Sequence, residues 1–313
     1  MCGGCGCKCK DAGDAENGDG SNKDLHPCKK CMLTPCVTHI CLGVRRTDYL
    51  KHCNCYPPAI FIPAITVVQI VIFAVYAVEL AGTSTPVTAT TGYPRDSPLV
   101  YRPTRRYEAW RYLTYMFIHQ GWEHLIGNML LQLFVGVSLE MIHKWWRVMI
   151  VYLCGIIAGS LLHSMIEHNM ALVGASAGAF ALVGAHLAVV ITNWKQMRVK
   201  CECKSKCLPS DFDRTLPTAP LRLVVVLPLV LHELGRAIYK HVASPEDWRI
   251  AVGAHIGGIL AGVLLGVPLL KNMVKLPWET TLGIITAVVF LLFVTAAVLF
   301  NGLYKGYPPT DWS

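Results

Sequence analysis

Residues 174–193 read GASAGAFALVGAHLAVVITN, twenty positions without an Asp, Glu, Lys or Arg. The stretch opens on Gly174-Ala175-Ser176-Ala177-Gly178, a Gly-x-Ser-x-Gly pattern with two readings. In a soluble α/β sheet it marks a sharp turn between a strand and a helix, with the serine exposed at the tip. Here an Ala-rich helical run surrounds it, and about 20 apolar residues are what a helix needs to cross the hydrocarbon of a bilayer. The stretch therefore reads as a membrane-spanning helix with a serine near its start.

Six further apolar runs of similar length lie near 59–81, 116–139, 146–166, 220–240, 250–270 and 280–302. Backbone groups left unpaired cannot face lipid, so runs of this length must be helices, and the fold class is an all-α, polytopic membrane protein. Composition agrees: 53% of the 313 residues are hydrophobic and 15% charged, against roughly a quarter charged in an ordinary soluble domain. The net charge of +8 comes from basic residues that flank the apolar runs, so no nucleic-acid partner is expected. The lipid bilayer is the expected solvent.

Three regions follow. Residues 1–56 form a polar, Cys-rich tail without sustained periodicity, expected to be flexible and cytosolic; 57–302 form the membrane domain; 303–313 form a short external tail. No secretory signal peptide is expected, since a polar segment of more than fifty residues precedes the first apolar run. With the N-terminus in the cytosol, alternation places loops 140–147, 194–219 and 271–279 inside. Lys195, Arg198, Lys200, Lys204, Lys206, Arg214, Lys271 and Lys275 in these loops follow the positive-inside rule. The external 82–115 loop runs against it, with Arg95, Arg102, Arg105, Arg106 and Arg111. Its length suggests a structured element.

Almost all of the 14 cysteines fall in segments read as cytosolic, where thiols stay reduced. Cys2, Cys5, Cys7, Cys9, Cys201, Cys203 and Cys207 are candidates for palmitoylation at the membrane surface. Cys28, Cys31, Cys36, Cys41, Cys53 and Cys55 do not repeat a standard paired zinc knuckle. No metal and no cofactor is assigned.

Ionisable and amide side chains are costly inside a membrane, so each is a functional candidate. They cluster. The second span carries His119, His124 and Asn128, the fourth opens on Ser176, and the sixth opens on Ala254-His255-Ile256-Gly257-Gly258. By parity all three spans enter from the external side, so these groups share one depth. His124 and Asn128, at i,i+4, share a helix face. Gly174, Gly178 and Ala181 on the fourth span, and the Gly258, Gly262 and Gly266 row on the sixth, permit close packing of the two. A serine hydroxyl becomes a nucleophile when a neighbouring imidazole takes its proton. His255 fits that role for Ser176, with His124, Asn128 and the Ser176 N–H as donors to a developing oxyanion. No acidic third member is evident, so the arrangement reads as a dyad. His232-Glu233 lacks the second histidine of a zinc-protease helix. His163 and His168 are unassigned, and His186 is read as structural.

These residues resemble the rhomboid family of intramembrane serine proteases, from the first apolar run to the last. Tyr107-Glu108-Ala109-Trp110-Arg111 resembles the Trp-Arg element of the family's first external loop, and His119, His124 and Asn128 have the spacing of its second-helix motif. Gly136-Val137-Ser138-Leu139-Glu140 resembles the motif that ends that helix. Gly174-Ala175-Ser176 resembles the nucleophile segment, with Ala177 where the family commonly has Gly, and the 254–258 segment resembles that of the base. The resemblance implies a six-helix catalytic core, a water-accessible cavity opening outward, and lateral substrate entry near the fifth helix. The seventh helix resembles the animal secretase-type arrangement. Members of that subgroup cleave single-span membrane proteins, EGF-family growth factor precursors among them, near their external boundary. The resemblance places such a protein in the secretory pathway, at the plasma membrane, Golgi or endosome, with its active site toward the lumen or exterior.

Two other classes stand beside this one. A noncatalytic relative would bind membrane proteins and direct their traffic; retention of Ser176, His255, His124 and Asn128 weighs against it. A seven-helix receptor or transporter would line a path with intramembrane His and Asn, but a transporter would more often show repeated halves or broken helices.

Overall fold

The computed structural model describes residues 58–195, 197, 227, 228, 230, 231, 235, 251–274 and 276–309, together with the backbone of three short strands. Among the described residues six helices carry the architecture: α1 (Phe61–Leu80), α2 (Gly121–His143), α3 (Trp145–Ile166), α4 (Ser176–Thr192), α5 (Val252–Leu269) and α6 (Pro277–Leu303). Five are long and apolar enough to cross a membrane; α4, at 17 residues, is the shorter one. The chain is a polytopic, helical membrane protein. The span expected at 220–240, with its His232-Glu233 pair, falls almost entirely outside the described residues; so do the tail cysteines' side chains.

Apart from the helices, β1 (Cys7–Cys9), β2 (Arg198–Cys203) and β3 (Asp213–Pro217) pair antiparallel in the order β1-β2-β3, with Cys7 opposite Cys203 and Cys9 opposite Cys201. The sequence reading expects no element at these places; β1 is too short to show a period, whereas Val199, Cys201 and Cys203 of β2 do alternate with Arg198, Lys200 and Glu202.

Two boundaries differ from the sequence reading in ways that matter. The second span starts at Gly121 instead of 116, because Tyr115–Phe117 forms a 3₁₀ turn and Ile118 and Gln120 are extended. The loop expected at 140–147 contracts to Lys144, whose φ of 74° turns α2 directly into α3.

Small residues set the packing. In lipid, helices gain little from hiding apolar surface from one another, so close backbone approach is what holds them. A Cβ added at Gly258 would strike the Ala177 carbonyl, and one at Gly262 the Ala181 carbonyl; one at Gly266 would come within 2.9 Å of Ala188 Cβ. These positions rise together along both helices, so α4 and α5 run parallel. On the other side of α4, Gly159 and Gly155 of α3 receive the Ala177 and Ala181 methyls in the opposite sense. Ala177 and Ala181 are thus held between glycines of α3 and α5, and both are fully buried. α6 is far more open, with 17% of its most apolar window buried.

Buried polar groups link the remaining helices. Gln132 Nε2 of α2 donates to Thr66 Oγ1 (2.7 Å) and Gln69 Oε1 (2.8 Å) of α1, and Tyr152 of α3 donates its hydroxyl to Gln132 Oε1 (3.0 Å). Glu140 Oε1 accepts the Ile62 N–H (2.8 Å) at the start of α1, while Gly136 one turn earlier makes room for Ile62 and Leu182. The Gly136 and Glu140 motif therefore seats and caps α1.

Gly262→Val should destabilise the bundle by about 1–3 kcal/mol or more, because the added carbons meet backbone. Gly302→Ala, where an added Cβ meets nothing within 4 Å, should be neutral; thermal unfolding in detergent compares the two.

Candidate active site

Ser176 is the first residue of α4 and His255 the fourth of α5, so parallel packing of the two helices brings both to one end of the bundle. His255 Nε2 lies 3.0 Å from Ser176 Oγ. Ser176 is 7% exposed. The His255 ring lies against Phe180, one turn after the serine, with centroids 4.6 Å apart and planes 32° apart. That contact holds the imidazole edge toward the hydroxyl. Phe180 carries no polar group, and sequence reasoning had no reason to single it out.

The turn before Ser176 is shaped by glycine. Gly174 has φ 110°, and a Cβ there would come within 2.5 Å of the His124 ring. The Gly174 N–H donates to the Tyr115 carbonyl (3.1 Å), and the Ala175 N–H to His119 Nε2 (3.4 Å). His119 is itself fixed by Tyr76, whose hydroxyl accepts the His119 N–H (3.0 Å) and donates to its carbonyl (2.5 Å). A ring nitrogen that accepts carries no proton, so His119 is a neutral support for the serine turn.

His124 and Asn128 occupy the first two turns of α2. The His124 ring meets His119 edge to face at 5.4 Å. Asn128 is buried and spends one amide hydrogen on the His124 carbonyl (2.9 Å), leaving the second N–H of the same nitrogen for another acceptor. The first-turn N–H groups of α4 have no intrahelical partner, and Ala175 at the N-cap offers no side chain to them. With the positive end of the helix dipole, they form an electropositive cradle beside the hydroxyl. A hydroxyl, an imidazole and a set of N–H donors therefore occupy one place.

The 82–115 loop braces this end of the bundle. Arg111 is buried and gives Nε to Glu108 (2.7 Å) and Nη1 to the carbonyls of Ser97 (3.0 Å) and Val100 (2.7 Å). Trp110 is exposed and bonds the Pro98 carbonyl (3.2 Å). Tyr101 pairs with Leu172 just ahead of Gly174. Arg102 pairs with Asp96, Arg105 with Glu108, and Arg106 stacks over Tyr107 and Tyr307. These arginines are engaged inside a folded loop.

At the far edge, Asn301 Oδ1 of α6 accepts from both Tyr112 (3.1 Å) and Tyr307 (2.7 Å), and Tyr307 also donates to the Ser164 carbonyl (2.9 Å). Burial pushes the Tyr112 phenol up to about 12 and raises Tyr307 as well, so both remain protonated donors. Gly178 packs on Tyr152, and Gly257 on Ala158 and Gly159; both serve helix contact. His186 is buried ten residues beyond Ser176, roughly 15 Å along the helix, away from the hydroxyl. Among the described residues no cluster of three or more His, Cys, Asp or Glu could hold a metal.

A Rhomboid domain model matches residues 106–272, more than half of the chain, and takes in Ser176, His255, His119, His124 and Asn128. The chain belongs to the rhomboid family. It is 35% identical over 257 residues to Rhomboid-related protein 2 of Mus musculus, covering 80% of this chain and 78% of that protein. It is 36% identical over 263 residues to Rhomboid-related protein 3 of Homo sapiens, covering 82% and 60% respectively. A Caenorhabditis elegans relative, Inactive rhomboid-related protein 2, is 30% identical over 215 residues, covering 69% and 55%. Membership in the rhomboid family thus supports an intramembrane protease or a rhomboid-like protein, and the geometry of the site bears on the choice between them.

The Gly174 geometry yields a double-mutant test. Gly174→Ala should cost about 1–2 kcal/mol from backbone alone, plus the clash with the His124 ring. In a His124→Ala background the penalty should shrink by about 0.5–3 kcal/mol, read from unfolding of the four proteins. Strict additivity would show that the two residues do not meet.

Proposed function

We propose that the protein is an intramembrane serine endopeptidase that cleaves single-span membrane proteins near their external membrane boundary. The observation that carries this reading is the 3.0 Å contact between Ser176 Oγ and His255 Nε2 at the paired ends of α4 and α5. The imidazole takes the hydroxyl proton as Oγ attacks the scissile carbonyl, forming the C–O bond of a tetrahedral intermediate. Its oxyanion is stabilised by the Ser176 N–H, the remaining Asn128 N–H and His124. Collapse breaks the C–N bond, His255 passes its proton to the leaving amine, and water then releases the acyl group by the same route in reverse roles. Ser and His suffice, with Phe180 orienting the ring.

The alternative is a noncatalytic rhomboid-like binding factor, a class to which one relative's name points. Retention of the dyad in hydrogen-bonding contact favours the protease. Substrates of the growth-factor-precursor kind, residence in the secretory pathway with a cytosolic N-terminus, lateral entry near the 220–240 span, and palmitoylation of the cysteine tail complete the proposal by family analogy.

Purified protein in lipid, mixed with a single-span substrate, should yield two fragments by mass spectrometry. Ser176→Ala and His255→Ala should each abolish them while folding is kept. Asn128→Ala or His124→Ala should lower turnover roughly tenfold to a thousandfold. Full activity in Ser176→Ala would reject the nucleophile, and unchanged turnover in both donor variants would reject the oxyanion assignment.

A further inference from the structure

The helix that carries His255 has no cap of its own: Ala251 precedes it, and no side chain of that residue bonds its first turn. The cap comes from α3. Glu167, the residue that ends α3, reaches across with both carboxylate oxygens, Oε1 accepting the Val252 N–H (3.0 Å) and Oε2 the Gly253 N–H (3.3 Å). Oε2 also lies 2.6 Å from His163 Nδ1, whose ring is fully buried and whose Nε2 faces the Met170 carbonyl at 3.1 Å. A carbonyl only accepts, so Nε2 is the ring's donor to Met170 and Nδ1 is the nitrogen turned to the carboxylate. Gly253 permits this approach, since a Cβ on it would come within 2.9 Å of His163 Cα and 3.2 Å of Glu167 Oε2. The other end of α5 is also gripped from α3, where Arg147 Nη1 donates to the Leu269 carbonyl (3.0 Å).

We infer that Glu167, oriented by His163, is a positioning residue that fixes the height and rotation of the first turn of α5 and so sets His255 against Ser176. The inference rests on the proposed dyad. A carboxylate capturing two first-turn donors fixes where a helix begins, and His255 lies two residues beyond the second captured donor. Neither Glu167 nor His163 touches the hydroxyl, so their loss leaves the chemical groups present and misplaces one of them.

Two readouts separate the inference from the protease reading. The first is amide hydrogen exchange of residues 252–256 in full-length protein in lipid nanodiscs, which needs no catalysis. Glu167→Ala should raise exchange there at least tenfold, with Glu167→Gln, which keeps one acceptor oxygen, in between; Ser176→Ala should leave it unchanged. The second is cleavage of a single-span substrate: Glu167→Ala should lower kcat about tenfold or more with KM unchanged, and Glu167→Gln should recover part of it. If wild type cleaves and Glu167→Ala changes neither exchange nor kcat, the positioning role is overturned. A fall in kcat with equal loss of protection throughout the bundle, unrecovered in Glu167→Gln, overturns it too by showing a general structural role. If wild type does not cleave but exchange at 252–256 rises as stated, the cap stands and the protease reading fails.

Discussion

Backbone contact between α4 and α5 is the constraint on which the rest of the molecule depends. Gly258, Gly262 and Gly266 present a side-chain-free strip to Ala177, Ala181, Ala185 and Ala188, and this leaves the two helices one relative height at which they fit. His255 lies three residues ahead of Gly258, and Ser176 one ahead of Ala177, so the same fit that packs the helices brings imidazole to hydroxyl. Hydrophobic attraction could not choose this height, since lipid is as apolar as leucine. Shape chooses it, and a single added carbon on the strip would lose it.

The remaining features hold that pair in place from three directions. From α3, glycines admit the Ala177 and Ala181 methyls, Arg147 closes the end of α5 and Glu167 its beginning. From α2 and the segment that leads into it, His119 bonds the turn before the serine and His124 lies against Gly174. From the 82–115 loop, Arg111 gathers carbonyls and Tyr101 pairs beside the same turn. The hydrogen bonds among these contacts satisfy backbone groups and the rest are close packing, which is why the site is built largely from main chain and histidine.

Much of this is legible in the sequence for a specific reason. Polar residues inside apolar runs are costly, so Ser176, His255, His124 and Asn128 stand out, and parity alone gives them one depth. The glycine row announces the α4 and α5 contact. Other parts are hidden because their partners are distant in sequence. Gln69 and Gln132 each look like an isolated amide until α1 meets α2, and Glu140 gains its meaning when α1 begins beside it. Glu167 looks like an ordinary loop acid; its local signal is the i,i+4 spacing from His163. Hydropathy places His119 within a helix, whereas the chain there is extended and ends at a glycine with φ 75°. Such a break is invisible to it, because Met116, Phe117 and Ile118 are as apolar as the helix that follows.

The central claim is that Ser176 is activated by His255, and covalent capture by a fluorophosphonate tests it most directly. In protein reconstituted into lipid, peptide mapping should find the adduct on Ser176, and His255→Ala should slow its formation roughly a hundredfold or more. An adduct on another residue, or labelling of Ser176 at an undiminished rate without the imidazole, would contradict the account.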